Sequence, residues 1–343
     1  MNLFKRAKVW IVFYIKRNIR RLLHSGIILE NKFYRNTLYK KALKKISDLE
    51  KKNRGNLFYP LALEIELTNL CNLNCVFCPN SIHDRKRGVM KLDTFKRIIR
   101  EAKSFKMPYL IISGFGEAFL DKGIKEKLEY LSQNKPDFVE LVTNGYALTK
   151  DIICFIINKK VIDKIDISID AADEEVYKKI HGKEGLEDIV KNILFLQSMK
   201  RKQKLAIPLV SIRFKDFSLN NGRFKHFLHR FNPIADDIYT YANIFHWPGF
   251  KNNFTPVDKN HIIKLPCIDL WRGIRINWNG DIVLCCMDYE GKIVLGNILE
   301  KQLINIWNGP TIGFYRKKHK ELKFNSLEIC RDCDINTNFI TPW

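Results

Sequence analysis

Residues 63–78 read Leu63-Glu64-Ile65-Glu66-Leu67-Thr68-Asn69-Leu70-Cys71-Asn72-Leu73-Asn74-Cys75-Val76-Phe77-Cys78, which predicts a short apolar strand that runs into a loop with three cysteines. The cysteine spacing is C-x3-C-x2-C, and three thiols in so tight a loop cannot pair off as disulfides. Thiolates select zinc, copper(I) or iron–sulfur clusters. A closed zinc site needs four ligands, and the next histidine is His83. On a four-iron cluster three thiolates leave one iron open, so the stretch predicts a metal centre that can bind a substrate.

The cysteine loop after the first predicted strand resembles the signature of the radical S-adenosylmethionine (SAM) superfamily. The resemblance implies that Cys71, Cys75 and Cys78 hold a [4Fe–4S] cluster whose fourth iron binds the amino and carboxylate groups of SAM. One electron from the cluster then cleaves SAM to a 5′-deoxyadenosyl radical, which abstracts hydrogen from a substrate. Phe77, just before the last cysteine, fits the same pattern and is expected to contact the cofactor. The alternatives are a zinc loop and three unrelated thiols.

Length and composition are those of a globular protein with a sizeable core: the chain has 343 residues, of which 46% are hydrophobic and 28% charged. The nine cysteines are clustered, which indicates metal binding in a reducing cytosol rather than a disulfide scaffold. The net charge is +22, and residues 1–55 contribute most of it, with 16 Lys/Arg against 3 Asp/Glu. The excess of positive charge therefore belongs largely to an N-terminal extension.

The first 25 residues have the pattern of a basic amphipathic helix. Their longest apolar run, residues 9–15, is too short to span a bilayer. On a helix, one stripe collects the apolar side chains Phe4, Ala7, Ile11, Tyr14, Ile15, Ile19 and Leu22. This composition is typical of a helix that lies on a membrane surface, and the alternative is a helix that packs its stripe on the rest of the protein. A second, Lys-rich helix is predicted from about Asn36 to Lys52.

Strand and helix patterns alternate from residue 61 to about residue 245, which predicts an α/β fold with a parallel sheet. The predicted strands lie near residues 62–67, 109–113, 138–143, 164–169, 207–213 and 237–242, with helices such as Leu92–Phe105 and Asp188–Lys200 between them. Six such units suit the partial (β/α)6 TIM-type barrel of the family that the cysteine loop resembles. We predict three units: an N-terminal helical extension (1–57), the barrel (58–247) and a small C-terminal domain (248–343).

Barrel enzymes place their chemistry at the C-terminal ends of the strands. After the second predicted strand comes Ser113-Gly114-Phe115-Gly116-Glu117, where two glycines let the backbone approach a ligand closely and Glu117 can accept bonds from an ammonium. The segment resembles the family's G-G-E-type motif, which holds the amino group of SAM, so its residues Gly114, Phe115, Gly116 and Glu117 are expected cofactor contacts. Asn144, after the third strand, is a familiar family element at this position.

Three further cofactor contacts are predicted at later strand ends. Alternation sends Ser168 and Asp170 to one side of the fourth strand. The resemblance makes Ser168 a contact for the ribose or carboxylate of SAM, while Asp170 either contributes to the site or caps the following helix. Arg213 ends the fifth strand, where it can pair with the SAM carboxylate or remain solvated.

A second cysteine set lies in the C-terminal third. Asn279-Gly280 between β-rich runs predicts a hairpin, and a helix is predicted near residues 299–307. The cysteines Cys267, Cys285, Cys330 and Cys333 fall as C-x17-C-x44-C-x2-C, with Cys286 as an alternative to Cys285. This pattern resembles the "twitch" version of the SPASM extension, which binds one auxiliary [4Fe–4S] cluster. A zinc site from the same four cysteines is the alternative.

An auxiliary cluster with four protein ligands has no open iron, so its expected task is electron transfer. Hydrogen abstraction followed by loss of one electron oxidises a carbon by two electrons, as in the conversion of a secondary alcohol to a ketone. We therefore predict a radical SAM oxidoreductase, of dehydrogenase or epimerase type, that acts on a carbohydrate-like substrate. The basic N-terminal helix suggests that this substrate is lipid-linked. The alternatives are a maturase of a ribosomally made peptide, an RNA-modifying enzyme and a non-enzymatic cluster protein.

The expected partners follow from this prediction. They are a small-molecule or lipid-linked carbohydrate, a one-electron donor such as flavodoxin or ferredoxin, and a membrane surface contacted through residues 1–25. No nucleic acid is expected, because no aromatic-bearing β platform or OB-fold is evident. The expected location is cytoplasmic, with peripheral contact at the inner face of the membrane.

Overall fold

The computed structural model describes residues 32–51, 59–215, 218–220, 222–241, 247–250 and 264–333. The strands are β1 (Ala62–Ile65), β2 (Tyr109–Ile112), β3 (Phe138–Thr143), β4 (Lys164–Ser168), β5 (Leu209–Lys215), β6 (Asp237–Tyr241), β7 (Gly273–Ile276), β8 (Asp281–Val283) and β9 (Val294–Asn297). The helices are α1 (Lys32–Glu50), α2 (Leu92–Ser104), α3 (Ile124–Gln133), α4 (Lys150–Lys159), α5 (Glu174–His181), α6 (Leu186–Lys202), α7 (Phe224–Phe231), α8 (Asp269–Arg272), α9 (Leu303–Trp307), α10 (Pro310–Lys320) and α11 (Glu328–Arg331).

The nine strands form one sheet in the order β6-β5-β4-β3-β2-β1-β7-β8-β9. Strands β1 to β6 follow one another in sequence and in space, and each neighbouring pair is parallel. Helices connect these parallel strands, as parallel pairing requires. The predicted α/β class and its six barrel strands are confirmed, with β6 left at one edge of the sheet.

The predicted C-terminal hairpin is β7–β8, an antiparallel pair whose turn contains Gly280 at a φ of +91°. This turn needs the left-handed conformation that glycine adopts without strain. Strand β7 also pairs in parallel with β1, Ala62 opposite Gly273. The barrel sheet therefore continues across the predicted domain boundary at residue 247, because the edge of β1 is covered by a strand from the C-terminal third.

Alternation divides the barrel strands into two faces. One face is apolar: Leu63 and Ile65 of β1 are fully buried in the same core as Phe95 and Ile98 of α2. The opposite face carries charged side chains such as Glu64, which pairs with Arg275 at 2.8 Å. The helices pack on the apolar face, and the polar face lines the concave side of the sheet.

Helix α1 packs on the C-terminal third. Ile46 is 2% exposed and belongs to the main core, and Glu50 accepts a hydrogen bond from Trp271 Nε1 at 3.0 Å and pairs with Lys320. The predicted helix from Asn36 to Lys52 is thus confirmed. The predicted membrane helix in residues 1–25 lies outside the described residues. Within the described part of the chain, every helix is too short or too polar to cross a membrane.

The helix predicted near residues 299–307 begins only at Leu303. The preceding residues form a turn instead, because Asn297 binds them: its side-chain oxygen accepts from the Leu299 N–H at 2.8 Å, and its carbonyl accepts from the N–H groups of Glu300 and Lys301.

Candidate functional site

The three-cysteine loop leaves the C-terminal end of β1 and lies against the end of α5. The Asn74 N–H donates to the His181 carbonyl at 3.1 Å, and the Val76 N–H donates to the Ile180 carbonyl at 2.9 Å. Burial is the main cause that raises the pKa values of the Cys71, Cys75 and Cys78 thiols, that of Cys78 to about 11. For Cys75 and Cys78, the charges of neighbouring thiolates raise the pKa further. Without a metal these thiols keep their protons, so metal binding must release protons here.

Two side chains from other elements reach the cysteine sulfurs. His181 Nδ1 lies 3.0 Å from Cys75 Sγ, and His181 Nε2 lies 2.9 Å from the Ile169 carbonyl. A carbonyl only accepts, so Nε2 carries a proton. The side-chain amide of Asn144 lies 3.9 Å from Cys71 Sγ, a long contact, and places this predicted residue beside the loop.

The Gly114–Glu117 segment after β2 packs tightly on the end of β1. A Cβ at Gly114 would lie 2.5 Å from the Glu66 side chain, and a Cβ at Gly116 would lie 2.2 Å from the Thr68 carbonyl oxygen. The Glu66 side chain cannot move away freely, because it is held in a buried ion pair with Arg85 at 2.8 Å. The two glycines were predicted to let a ligand approach. In the structure they are required because the end of β1 leaves no room for a side chain at either position.

Glu117 is 2% exposed, and its carboxylate is already hydrogen-bonded. It accepts from Thr143 Oγ1 at 2.8 Å, from the Asn144 N–H at 2.8 Å and from the Phe119 N–H at 3.2 Å. Burial raises the pKa of Glu117, and these three bonds oppose the shift. A carboxylate has about four acceptor sites, so at most one stays open for a ligand.

Ser168 and Asp170 lie side by side, as the alternation predicted: Ser168 Oγ is 3.0 Å from Asp170 Oδ2. The suggestion that Asp170 caps the following helix is wrong. Asp173 caps α5 by accepting from the Val176 N–H, while Asp170 sits in the left-handed region at a φ of +61° and is fully buried.

The basic residue that faces the cysteine loop is Lys215, whereas the predicted residue was Arg213. Arg213 lies deeper in the barrel, with Nη2 3.3 Å from Asp166 Oδ2. Lys215, two residues further along β5, places its ammonium 3.7 Å from the centre of the Phe77 ring and 3.6 Å from Asp170 Oδ2. Burial lowers the pKa of Lys215, and the charge of Asp170 opposes this shift.

Phe115, predicted as a cofactor contact, joins an aromatic cluster with residues from the C-terminal half. Its ring centre is 5.2 Å from that of Trp247 and 6.3 Å from that of Tyr289, and the guanidinium of Arg275 lies 4.9 Å away. Trp247 Nε1 donates to the Phe77 carbonyl at 2.9 Å, which ties this cluster to the cysteine loop.

The C-terminal cysteines converge on one small cavity. Its lining includes all five of the cysteines named above, namely Cys267, Cys285, Cys286, Cys330 and Cys333, together with His319. Burial raises the pKa values of the Cys267, Cys285, Cys286 and Cys330 thiols, that of Cys330 to about 12.

Cys285 and Cys286 have different surroundings in this cavity. Besides burial, the charges that raise the pKa of Cys285 are those of the other cysteines, including Cys267, Cys330 and Cys333. Burial also raises the pKa of Cys286, and the charges that act on this thiol next are those of Asp269, Glu64 and Arg275. This difference favours Cys285 as the fourth member of the predicted set.

Two family models match the chain. The radical SAM superfamily model matches residues 65–211, and the model of a SPASM iron–sulfur cluster-binding domain matches residues 267–334. The chain therefore contains a radical SAM domain followed by a C-terminal SPASM domain. The predicted SAM-bound [4Fe–4S] cluster and auxiliary iron–sulfur centre are confirmed by these matches.

Individual relatives match the chain over part of their own length. A probable GTP 3′,8-cyclase of Pyrococcus abyssi is 31% identical over 38% of this chain and 42% of its own length. The chain thus spans less than half of that curated relative. The crystal structure of BtrN with AdoMet and 2-DOIA has a TM-score of 0.55 and 18% identity, covering 80% of this chain and 93% of BtrN. SuiB of Streptococcus suis, bound to its precursor peptide SuiA, has a TM-score of 0.50 and 18% identity, covering 90% and 80%.

The two cysteine sets of this chain fit iron–sulfur clusters. Both sets consist of thiols, which suit such clusters. Among the described residues, no group of three or more His, Cys, Asp or Glu side chains is arranged to hold a single metal ion. A four-iron cluster does not need that arrangement, because each thiolate binds a different iron.

Three residues that lie beside the predicted cysteine sets were not predicted from the sequence: His181, Lys215 and His319. Only Lys215 had a usable signal, because alternation along β5 puts it on the same face as Arg213 and nearer to the strand's C-terminal end.

Proposed function

We propose that this enzyme cleaves SAM reductively and oxidises or epimerises a polar, carbohydrate-like substrate held on the concave face of the barrel. The charged lining of that face carries the proposal. Lys164 Nζ pairs with Glu140 at 2.9 Å, and Asp166 binds the Tyr239 hydroxyl and Arg213. Asp166 is buried, and its Oδ1 has no hydrogen-bond partner among the described residues. A buried acceptor without a donor is costly, and a substrate hydroxyl would satisfy it.

The proposed cofactor contacts follow from the placements given above. Cys71, Cys75 and Cys78 hold the first cluster, and Cys267, Cys285, Cys330 and Cys333 hold one auxiliary cluster. Lys215 takes the role predicted for Arg213, as the cation that pairs with the SAM carboxylate beside Phe77. When bound, the first cluster with SAM supplies a hydrogen-abstracting 5′-deoxyadenosyl radical, and the auxiliary cluster supplies a one-electron acceptor.

In the proposed oxidation, a secondary alcohol carbon loses one hydrogen atom to the radical. Loss of one proton and one electron then gives the ketone. Return of a hydrogen atom from a thiol to the opposite face, in place of the electron loss, would give epimerisation, and the thiyl radical left behind would take one proton and one electron from the reductant. The carboxylate of Asp166 is suited to bind the substrate hydroxyl and orient the carbon that reacts.

Replacement of Glu117 by Gln tests how the SAM site is held together. The substitution removes the negative charge from a buried side chain that accepts three hydrogen bonds. A hydrogen bond to a charged group contributes about 1.5–3 kcal/mol. We expect SAM affinity to fall by about ten- to a hundredfold, measured by calorimetry on the anaerobically reconstituted protein. Glu126→Gln, at an exposed site on α3, is the matched control. Equal SAM affinity in both variants would show that Glu117 does not support the site.

The relatives support a second candidate function. The name GTP 3′,8-cyclase belongs to several of them, so cyclisation of GTP is the alternative to oxidation of a sugar-like substrate. Modification of a peptide is the third, by the likeness to SuiB. A lipid-linked substrate, contact of residues 1–25 with the inner face of the membrane, and a flavodoxin or ferredoxin donor remain predictions.

A turnover screen separates these candidates. The reconstituted enzyme is incubated anaerobically with SAM, a reductant and one of three probes: C-deuterated aminocyclitols and sugars, GTP, or cysteine-containing peptides. We expect a deuterated polyol to raise 5′-deoxyadenosine formation and to transfer deuterium into it. The Cys75→Ala variant is the blank. If only GTP, or only a peptide, stimulated 5′-deoxyadenosine formation, the proposal would be contradicted and the alternative identified.

A further inference from the structure

His319 of α10 is fully buried beside the C-terminal cysteines. Its Nδ1 accepts a hydrogen bond from the Cys267 backbone N–H at 3.0 Å. A backbone N–H can only donate, so Nδ1 must present its lone pair. The proton of the neutral ring is therefore on Nε2, and the tautomer follows from geometry alone.

The protonated Nε2 lies 3.3 Å from Cys330 Sγ. We propose that His319 donates an N–H···S hydrogen bond to Cys330 and thereby raises the reduction potential of the auxiliary cluster. The proposal rests on the assignment of Cys330 as a cluster ligand. His319 acts through Cys330, so it is a positioning residue that tunes the centre.

The effect has a direct electrostatic cause. Reduction adds one negative charge to the cluster and its thiolates, so a donor aimed at a thiolate sulfur stabilises the reduced form more than the oxidised form. Hydrogen bonds to the sulfurs are among the features that set cluster potentials, and burial strengthens them. The result is a better electron acceptor, which suits the oxidation proposed above.

His181, beside the first cysteine set, has its donor and acceptor nitrogens arranged the other way round. Its Nε2 donates to the Ile169 carbonyl, so in the neutral ring Nδ1, 3.0 Å from Cys75 Sγ, carries no proton. Among the described residues, each cysteine set thus has a buried histidine beside one of its sulfurs, and of these two His319 is the one arranged as a donor to sulfur when its ring is neutral.

The test compares His319→Leu and His319→Gln in the holoenzyme by redox titration monitored by EPR. Added SAM changes the signal of the first cluster, which separates it from the SAM-independent auxiliary signal. We expect His319→Leu to make auxiliary reduction at least tenfold less favourable, about 59 mV for one electron. His319→Gln keeps an N–H donor and should shift the potential less.

Phe324→Leu is the packing control. The Phe324 ring centre lies 5.5 Å from that of His319, but its side chain offers no donor, so this variant should lose thermal stability without a change in potential. In addition, ¹⁵N-histidine in the unaltered enzyme should give a weak nitrogen coupling on the auxiliary signal, a measurement that does not depend on the folding of any variant.

The outcomes separate this inference from the assignment on which it rests. An unaltered enzyme without a SAM-independent cluster signal would overturn the assignment of the auxiliary ligands, and with it the inference. A normal auxiliary signal that lacks the histidine coupling, or that titrates identically in wild type and His319→Leu, would overturn the hydrogen bond while the assignment stands.

Discussion

Alanine at Cys71, Cys75 and Cys78 together is expected to abolish SAM cleavage and to reduce bound iron from about eight to about four per chain, because the loop supplies all protein ligands of the first cluster. The loop should keep its place. Its backbone is held to α5 by hydrogen bonds that involve no thiol, from Asn74 and Val76. Iron and sulfide analysis and chromatography of 5′-deoxyadenosine provide the measurements.

Cys154→Ala is the matched control, because Cys154 lies on α4 away from both predicted cysteine sets. It should retain all the iron and full SAM cleavage. If the triple variant still cleaves SAM, or if it loses both clusters while remaining folded by circular dichroism, the proposed division between the two cysteine sets is incorrect.

Alanine at Cys285 is expected to remove the auxiliary cluster, whereas alanine at Cys286 should retain it. The two thiols are neighbours in the sequence and line the same cavity. The expected difference rests on the charges that, besides burial, act on the pKa of each thiol: those of the other three members of the set act on Cys285, whereas those of Asp269 and Glu64 come first for Cys286. Cys285→Ala should keep about four irons and still form 5′-deoxyadenosine, but should not complete the two-electron oxidation.

The pair of variants serves as its own control, since each removes one thiol from the same cavity. Iron content, EPR with and without SAM, and product analysis distinguish them. Loss of the auxiliary signal in Cys286→Ala, with retention in Cys285→Ala, would reverse the assignment. Stoichiometric zinc in the unaltered protein, with no more than about four irons, would favour the zinc alternative for the C-terminal cysteines.

Several features of this enzyme could be predicted from local sequence. The six barrel strands were located to within about two residues, because alternating burial and turn residues act over a few neighbours along the chain. Both cysteine sets were recognised from their spacing, and the pairing of Ser168 with Asp170 followed from strand alternation. The hairpin at Gly280 followed from its turn residues.

Other features depended on contacts between residues far apart in the sequence. Strand β7 joins β1 across about 200 residues, which makes one sheet of two predicted domains. His181 contacts Cys75, and His319 contacts Cys267, only because α5 and α10 pack against the cysteine segments. The eight histidines have no ligand spacing of their own, so no local pattern could reveal these contacts.

The sequence by itself determined the strands, the thiols and the family, because each depends on residue types at short spacing. The tertiary structure alone decided which polar groups face those thiols. It directed Arg213 to Asp166, left Lys215 beside the cysteine loop, and placed His319 with its lone pair on the Cys267 N–H and its proton toward Cys330. A hydrogen bond depends on distance and direction, and for residues so far apart in the sequence only the packed fold defines these.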